Sequence, residues 1–178
     1  YPRGVRLMAG IRTVLIIDSN KKDRAKVAVF LEEYYNVMES SSIGEAYRIL
    51  DSNAGRVAAV ILDITPEMQY GEELLRFMKR NEYLSKIPVI MTSDTDSEET
   101  EISALSAGAS DFLYKPYSPV IVKKRLDNII SLSENASMAS DLQKDHLTGV
   151  YSEEVFCQKA ARILEENPSA EYAIIYSD

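Results

Sequence analysis

The chain has no tryptophan, a single cysteine (Cys157), a single histidine (His146), and fewer basic than acidic side chains. One cysteine excludes an internal disulfide framework and fits a reducing compartment. Cys157 stands at helical spacing with Ala160, Ala161 and Leu164, which reads as a small buried apolar residue rather than a reactive thiol. His146 has no metal-ligating companions nearby and reads as a surface side chain. The net charge of −8, with no stretch that clusters lysine and arginine on one face, argues against a nucleic-acid partner. The longest apolar runs fall far short of the roughly 20 residues a membrane span needs. YPRGVRLMAG has basic residues but no apolar core of signal-peptide length, so residues 1–10 read as a leader or expression remnant. A cytoplasmic location without a membrane span is the expectation. With 178 residues, 46% of them hydrophobic and 27% charged, the chain has room for one globular domain and something smaller.

Short β-rich runs alternate with amphipathic stretches. TVLIID (13–18) precedes KKDRAKVAVFLEEYY, in which Val27, Phe30, Leu31 and Tyr34 fall at helical spacing. NVMES is a weaker strand, and Ser42 with Glu45 forms a capping box for a helix through Leu50. VAAVILD with YGEELLRFMKR, then PVIMTS with SEETEISALSAGA, repeat the unit, and FLYK (112–115) with a long helical stretch from about Ser118 completes it. A strand such as VAAVIL is apolar on both faces, as a buried parallel strand must be. Five such rounds predict a flavodoxin-like α/β fold, a doubly wound five-stranded parallel sheet of order 2-1-3-4-5.

In an open parallel sheet, ligands bind beyond the carboxyl ends of the strands where the strand order reverses. Asp18 and Asp63 end the first and third strands and should face one crevice, with Ser93 and Lys115 on the same rim. Two carboxylates, a hydroxyl and an amine suit a hard cation and a phosphoryl group, and an aspartate so placed can be a nucleophile. Taken singly, Asp63 is equally well a helix-side cap or the buried ion-pair partner of Lys115, Ser93 a turn hydroxyl, Lys115 a solvated amine and Phe112 core packing.

Residues 11–130 resemble the receiver domain of two-component response regulators. The likeness rests on IID at 16–18, ILDIT followed by Pro66 and Gly71, Ser93 after PVIMT, and AGASDFLYKP at 107–116. It implies Asp63 as phosphoacceptor, Asp18 as an acidic-pocket carboxylate, the Thr65 backbone carbonyl as a magnesium ligand, and Ser93 and Lys115 as the hydroxyl and cation that meet the phosphoryl group. It further implies Phe112 as the aromatic switch, a Lys115-Pro116 peptide bond of the kind often cis in the family, and a histidine kinase as phosphodonor. The chain departs from the family in reading Asp18-Ser19-Asn20 where a second acid usually follows the first. With Ser19 in the metal shell, magnesium affinity should fall. Pro66 also stands one residue early in the loop.

Past Tyr117 no proline or glycine interrupts the helical pattern after Pro119 until Gly149. Ile129, Leu132, Ala136 and Ala139 recur at spacings of 3, 4 and 3, a short seam suited to a homodimer stalk over residues 131–144. The alternative is a solvated connector. Residues 145–178 resemble the opening of a GGDEF domain, the cyclic di-GMP synthase fold. Asp145, Leu147, Thr148, Gly149 and Tyr151 carry the likeness, and Asp178 stands where that family has a metal-binding aspartate. The GGDEF signature does not occur in these residues, so this stretch is not expected to make cyclic di-GMP by itself. An apolar face that includes Val155, Phe156, Ala160, Ile163 and Leu164 is too small to bury itself, which points to a partner copy held through the stalk or the tail.

The resemblances together imply a receiver phosphorylated on Asp63 that controls a GGDEF-type output. Two other readings stand beside it: a pseudo-receiver that only dimerises or binds a partner, and a receiver governing a degenerate GGDEF module ahead of a phosphodiesterase.

Overall fold

The computed structural model describes residues 12–53, 55–64 and 71–142, together with 156 and 160–164. Thr65, Pro66, His146, Cys157, Asp178, the leader and the Asp145–Tyr151 motif lie outside the described residues. The chain divides into two units, Tyr1–Glu134 and Asn135–Asp178.

Strands and helices alternate through the first unit: β1 Thr13–Ile17, α1 Lys21–Leu31, β2 Asn36–Ser40, α2 Ile43–Asn53, β3 Val57–Asp63, α3 Gly71–Arg80, β4 Val89–Ser93, α4 Glu98–Ser106, β5 Asp111–Tyr114 and α5 Pro119–Leu142. The five strands are parallel in the order β2-β1-β3-β4-β5, as the flavodoxin-like reading requires. Side-chain alternation splits each central strand between two cores. Leu15 and Ile17 pack with Leu62, Leu75 and Met78 on one face. Val14 and Ile16 pack with Val27, Leu31 and Leu126 on the other.

Local chemistry fixes the helix starts. Asn20 caps α1, its side chain accepting from the N–H groups of Lys22 and Asp23. Ser97 caps α4 by accepting from Thr100 N–H. Ser42 Oγ accepts from Glu45 N–H, but the Glu45 carboxylate reaches Ser41 N–H and Ser40 Oγ rather than closing the predicted box on Ser42. The α1 pattern also ends sooner than its spacing suggests: the helix stops at Leu31, Tyr34 stays partly exposed, and Tyr35 is the buried ring, its hydroxyl donating to Asp127 on α5.

The stalk seam needs a correction. Ile129 is buried in the first unit's own core beside Leu126 and Ile130, so it is not available to a partner helix. Past Ile129, the exposed large apolar positions described on α5 are Leu132, which is 69% exposed, and Met138. In the second unit, residues 160–164 are helical, and Phe156 and Leu164 are exposed.

Two glycines are structurally required, Gly71 at the sheet's carboxyl edge and Gly108 at its amino edge. At Gly71 a Cβ would stand 3.2 Å from the Asp63 carbonyl oxygen and 3.0 Å from the Ile64 side chain, so α3 starts hard against the end of β3. Gly108, after α4, has φ of 103° and leaves only 3.1 Å between a would-be Cβ and Lys79. Gly108→Ala is expected to destabilise the fold by about 1–2 kcal/mol, the cost of a side chain in left-handed backbone. Urea unfolding measures it, and an unchanged midpoint would show that the turn relaxes freely.

Candidate functional site

Parallel register brings the strand ends together. Ile17 pairs with Leu62, so Asp18 and Asp63 follow on neighbouring strands, and Asp63 pairs with Thr92 on β4. Lys115 follows β5 and is anchored by its N–H to the Ser93 carbonyl at 2.7 Å. The Lys115-Pro116 peptide bond is cis.

Both carboxylates are buried, Asp63 at 1% and Asp18 at 3% exposure. A single ammonium bridges them: Lys115 Nζ lies 2.7 Å from Asp63 Oδ1 and 2.8 Å from Asp18 Oδ2. Asp18 Oδ1 accepts from Asn20 N–H at 2.7 Å, and the Arg24 guanidinium, paired with Glu39, donates to the Asp18 carbonyl. Asp18 is thus held at both its side chain and its backbone. Thr92 Oγ1 stands 3.4 Å from Asp63 Oδ1. Ser93 is buried on the same rim, where its hydroxyl accepts from Thr95 N–H at 3.0 Å.

The charges do not balance. Burial pulls the Lys115 ammonium down, but hydrogen bonds and charge from Asp18 and Asp63 outweigh it and raise the group above its ordinary value. Burial, reinforced by the charge of Asp63, pushes the Asp18 carboxyl above its usual range despite Lys115. Among the described residues, two buried carboxylates share one ammonium, which leaves a surplus negative charge there. A hard divalent cation meets that demand, and magnesium usually takes only one or two protein carboxylates while keeping several waters. Among the described residues no group of three or more acidic, histidine or cysteine side chains converges as a metal cage. Asp18 and Asp63 are therefore the described residues that fit magnesium, beside a pocket of about 710 Å³ lined by Ser19, Asn20, Asp23, Lys115 and Tyr117.

Phe112 is buried, its ring 5.0 Å from that of Tyr114 in an edge-to-face contact. Tyr114 O–H faces the Ser97 carbonyl at 3.1 Å and the Glu101 carboxylate at 2.9 Å, tying β5 to the start of α4. Burial and Glu101 push its phenol up to about 12. The sequence brings Asp18, Asp63, Ser93 and Lys115 to one rim as expected. Nothing in the sequence analysis singled out Thr92, Asp23 or Tyr114. The pairing of Thr92 with Asp63 becomes visible only once strand register is known.

Comparison with known proteins agrees with this geometry. The family model of the response regulator receiver domain matches residues 14–127. The phosphate regulon transcriptional regulatory protein PhoB of Pseudomonas aeruginosa is 31% identical over 120 residues, 67% of this chain and 52% of that protein. A Vibrio cholerae protein named Probable cyclic di-GMP phosphodiesterase is 32% identical over 115 residues, 64% of this chain and 25% of that protein. The solved receiver domain of Francisella response regulator 1452 superposes with a TM-score of 0.61 at 25% identity, covering 68% of this chain and 98% of that one. The chain belongs to the response regulator receiver family. It spans about half of the Pseudomonas regulator and a quarter of the Vibrio protein.

Proposed function

We propose that this chain receives a phosphoryl group on Asp63 from a histidine kinase and relays the change to a GGDEF-type output that begins near Asp145. The observation that carries the reading is the buried Asp63 carboxylate at the end of β3, held by Lys115 and facing Asp18 across the same ammonium. In the transfer, an Asp63 carboxylate oxygen forms the bond to phosphorus while the donor's bond to phosphorus breaks and its electron pair leaves with the donor. Lys115 moves its positive charge from carboxylate to phosphoryl oxygen, and Ser93, once it gives up Thr95 N–H, offers a hydroxyl to the same group. Asp18, Asp63 and the Thr65 carbonyl would hold magnesium, which would supply charge neutralisation when bound. Buried Phe112 is the ring that senses the rearrangement, with α4 and α5 as the responding face.

Labelling of the chain by acetyl phosphate, with and without magnesium, tests this reading. Magnesium-dependent label on Asp63 supports it; no label with any small phosphodonor refutes it. A second reading, an interaction module that never takes phosphate, is favoured by Ser19 in place of an acid. Magnesium-dependent labelling separates the two, and Ser19→Asp tests whether Ser19 lies in the metal shell. If Ser19 borders the metal, the new carboxylate should tighten magnesium binding by about tenfold, read by tyrosine fluorescence titration. Equal or weaker affinity would place Ser19 outside the shell.

The Vibrio relative's name associates a similar receiver with cyclic di-GMP chemistry and supports an output of that class, as synthase or as a degenerate module ahead of a phosphodiesterase. Exposed Leu132 and Met138 on α5 support contact with a second copy through residues 131–144, in the cytoplasm where histidine kinases donate phosphate. Among the described residues no helix is long and apolar enough to cross a membrane.

A further inference from the structure

Asp23 lies in the first turn of α1, at the third helical position after the Asn20 cap. In a capping box the acid at that position reaches back to the cap residue's N–H. Here the Asn20 N–H is already committed to Asp18 Oδ1 at 2.7 Å. Asp23 is therefore released from the capping role, and its carboxylate stands 3.9 Å from Lys115 Nζ, on the wall of the pocket beside Ser19. The same ammonium touches Asp18 and Asp63. Three carboxylates thus surround one lysine, and the third comes from a helix turn rather than from the strand end.

We propose that Asp23 takes over the part left vacant at Ser19, presenting to magnesium's water shell the carboxylate that the β1 end lacks. The inference rests on the magnesium-binding reading given above. At 3.9 Å from Lys115 it stands too far out for a tight ion pair but within reach of a water between the two groups. The pocket of about 710 Å³ that Asp23 and Ser19 line, with Asp94 and Lys26 also on its wall, has volume to spare for a hydrated cation. A hydroxyl at 19 leaves that wall free of a second strand-end charge, so a carboxylate four residues on meets one like charge fewer there.

Magnesium titration of the full chain, followed by tyrosine fluorescence with Tyr117 on the pocket wall, tests the proposal. Asp23→Asn is expected to weaken magnesium binding about tenfold, within the range for removing a partner outside the direct ligands. Ser19→Asp combined with Asp23→Asn should recover most of that loss. The deficit should persist in about 1 M salt, where the screening length is about 3 Å and a merely distant charge would no longer matter. Asp18→Asn serves as the site control. If Asp18→Asn abolishes binding while Asp23→Asn titrates like the parent chain, the proposal is overturned and the magnesium site stands. A deficit that vanishes in high salt also overturns it. A parent chain without magnesium response overturns both readings.

Discussion

Asp63→Asn should abolish labelling by acetyl phosphate in magnesium while leaving the chain folded. The amide has the carboxylate's shape, and its oxygen can still accept from Lys115 and from Thr92, which both reach Asp63 now. What it loses is the anionic oxygen that attacks phosphorus. Lys115 keeps Asp18 at 2.8 Å, so no ammonium is stranded. The substitution also removes one of two like charges in a buried cluster, and Asp18, whose carboxyl is raised by burial and by the charge of Asp63, should titrate closer to its ordinary value. Thermal unfolding should therefore occur at the parent temperature or above it. Labelling that continues undiminished would assign the phosphoacceptor elsewhere, with exposed Asp94 the next carboxylate along the pocket wall.

Strand ends are legible in a sequence because apolar runs stop abruptly, and in this fold the site is made of strand ends. Asp18, Asp63, Ser93 and Lys115 belong on one rim on that ground, and the fold brings them there. Groups that depend on how elements are phased against one another were not legible. Thr92 faces Asp63 only because β3 and β4 pair in one register out of several that their apolar patterns allow. Asp23 reads as an ordinary first-turn acid until the rotation of α1 about the sheet is known. Ile129 shows the reverse failure. A 3-4 spacing is shared by a helix packed on its own domain and by one packed on a partner, so periodicity alone assigned to a dimer seam a side chain that belongs to the core. Ser19 has a different standing: its identity was visible, but the compensation by a carboxylate one helical turn away requires distances.

Lys115→Met should cost the fold about 3–5 kcal/mol at neutral pH, because it removes the ammonium that two buried carboxylates share. Asp18 and Asp63 are nearly inaccessible to water, and both rest on the same ammonium. The pH dependence follows from the direction of the shift. In the variant, burial and the charge of Asp63, no longer opposed by Lys115, hold the Asp18 carboxyl above the value it has in the unfolded chain, so the folded state binds a proton the unfolded state releases. The penalty is then fully present above the folded-state value and shrinks as pH falls through it toward the ordinary carboxylate range of about 4. Urea unfolding of parent and variant at neutral and mildly acidic pH should show the gap narrowing on acidification. Adding Asp18→Asn to Lys115→Met should recover most of the loss, and so should millimolar magnesium if the two carboxylates hold it, since a ligand bound only by the folded state stabilises it by mass action. A deficit below about 1 kcal/mol at neutral pH, in the range of exposed ion pairs, would mean that water reaches the carboxylates freely and that the ammonium is not what holds the pocket together.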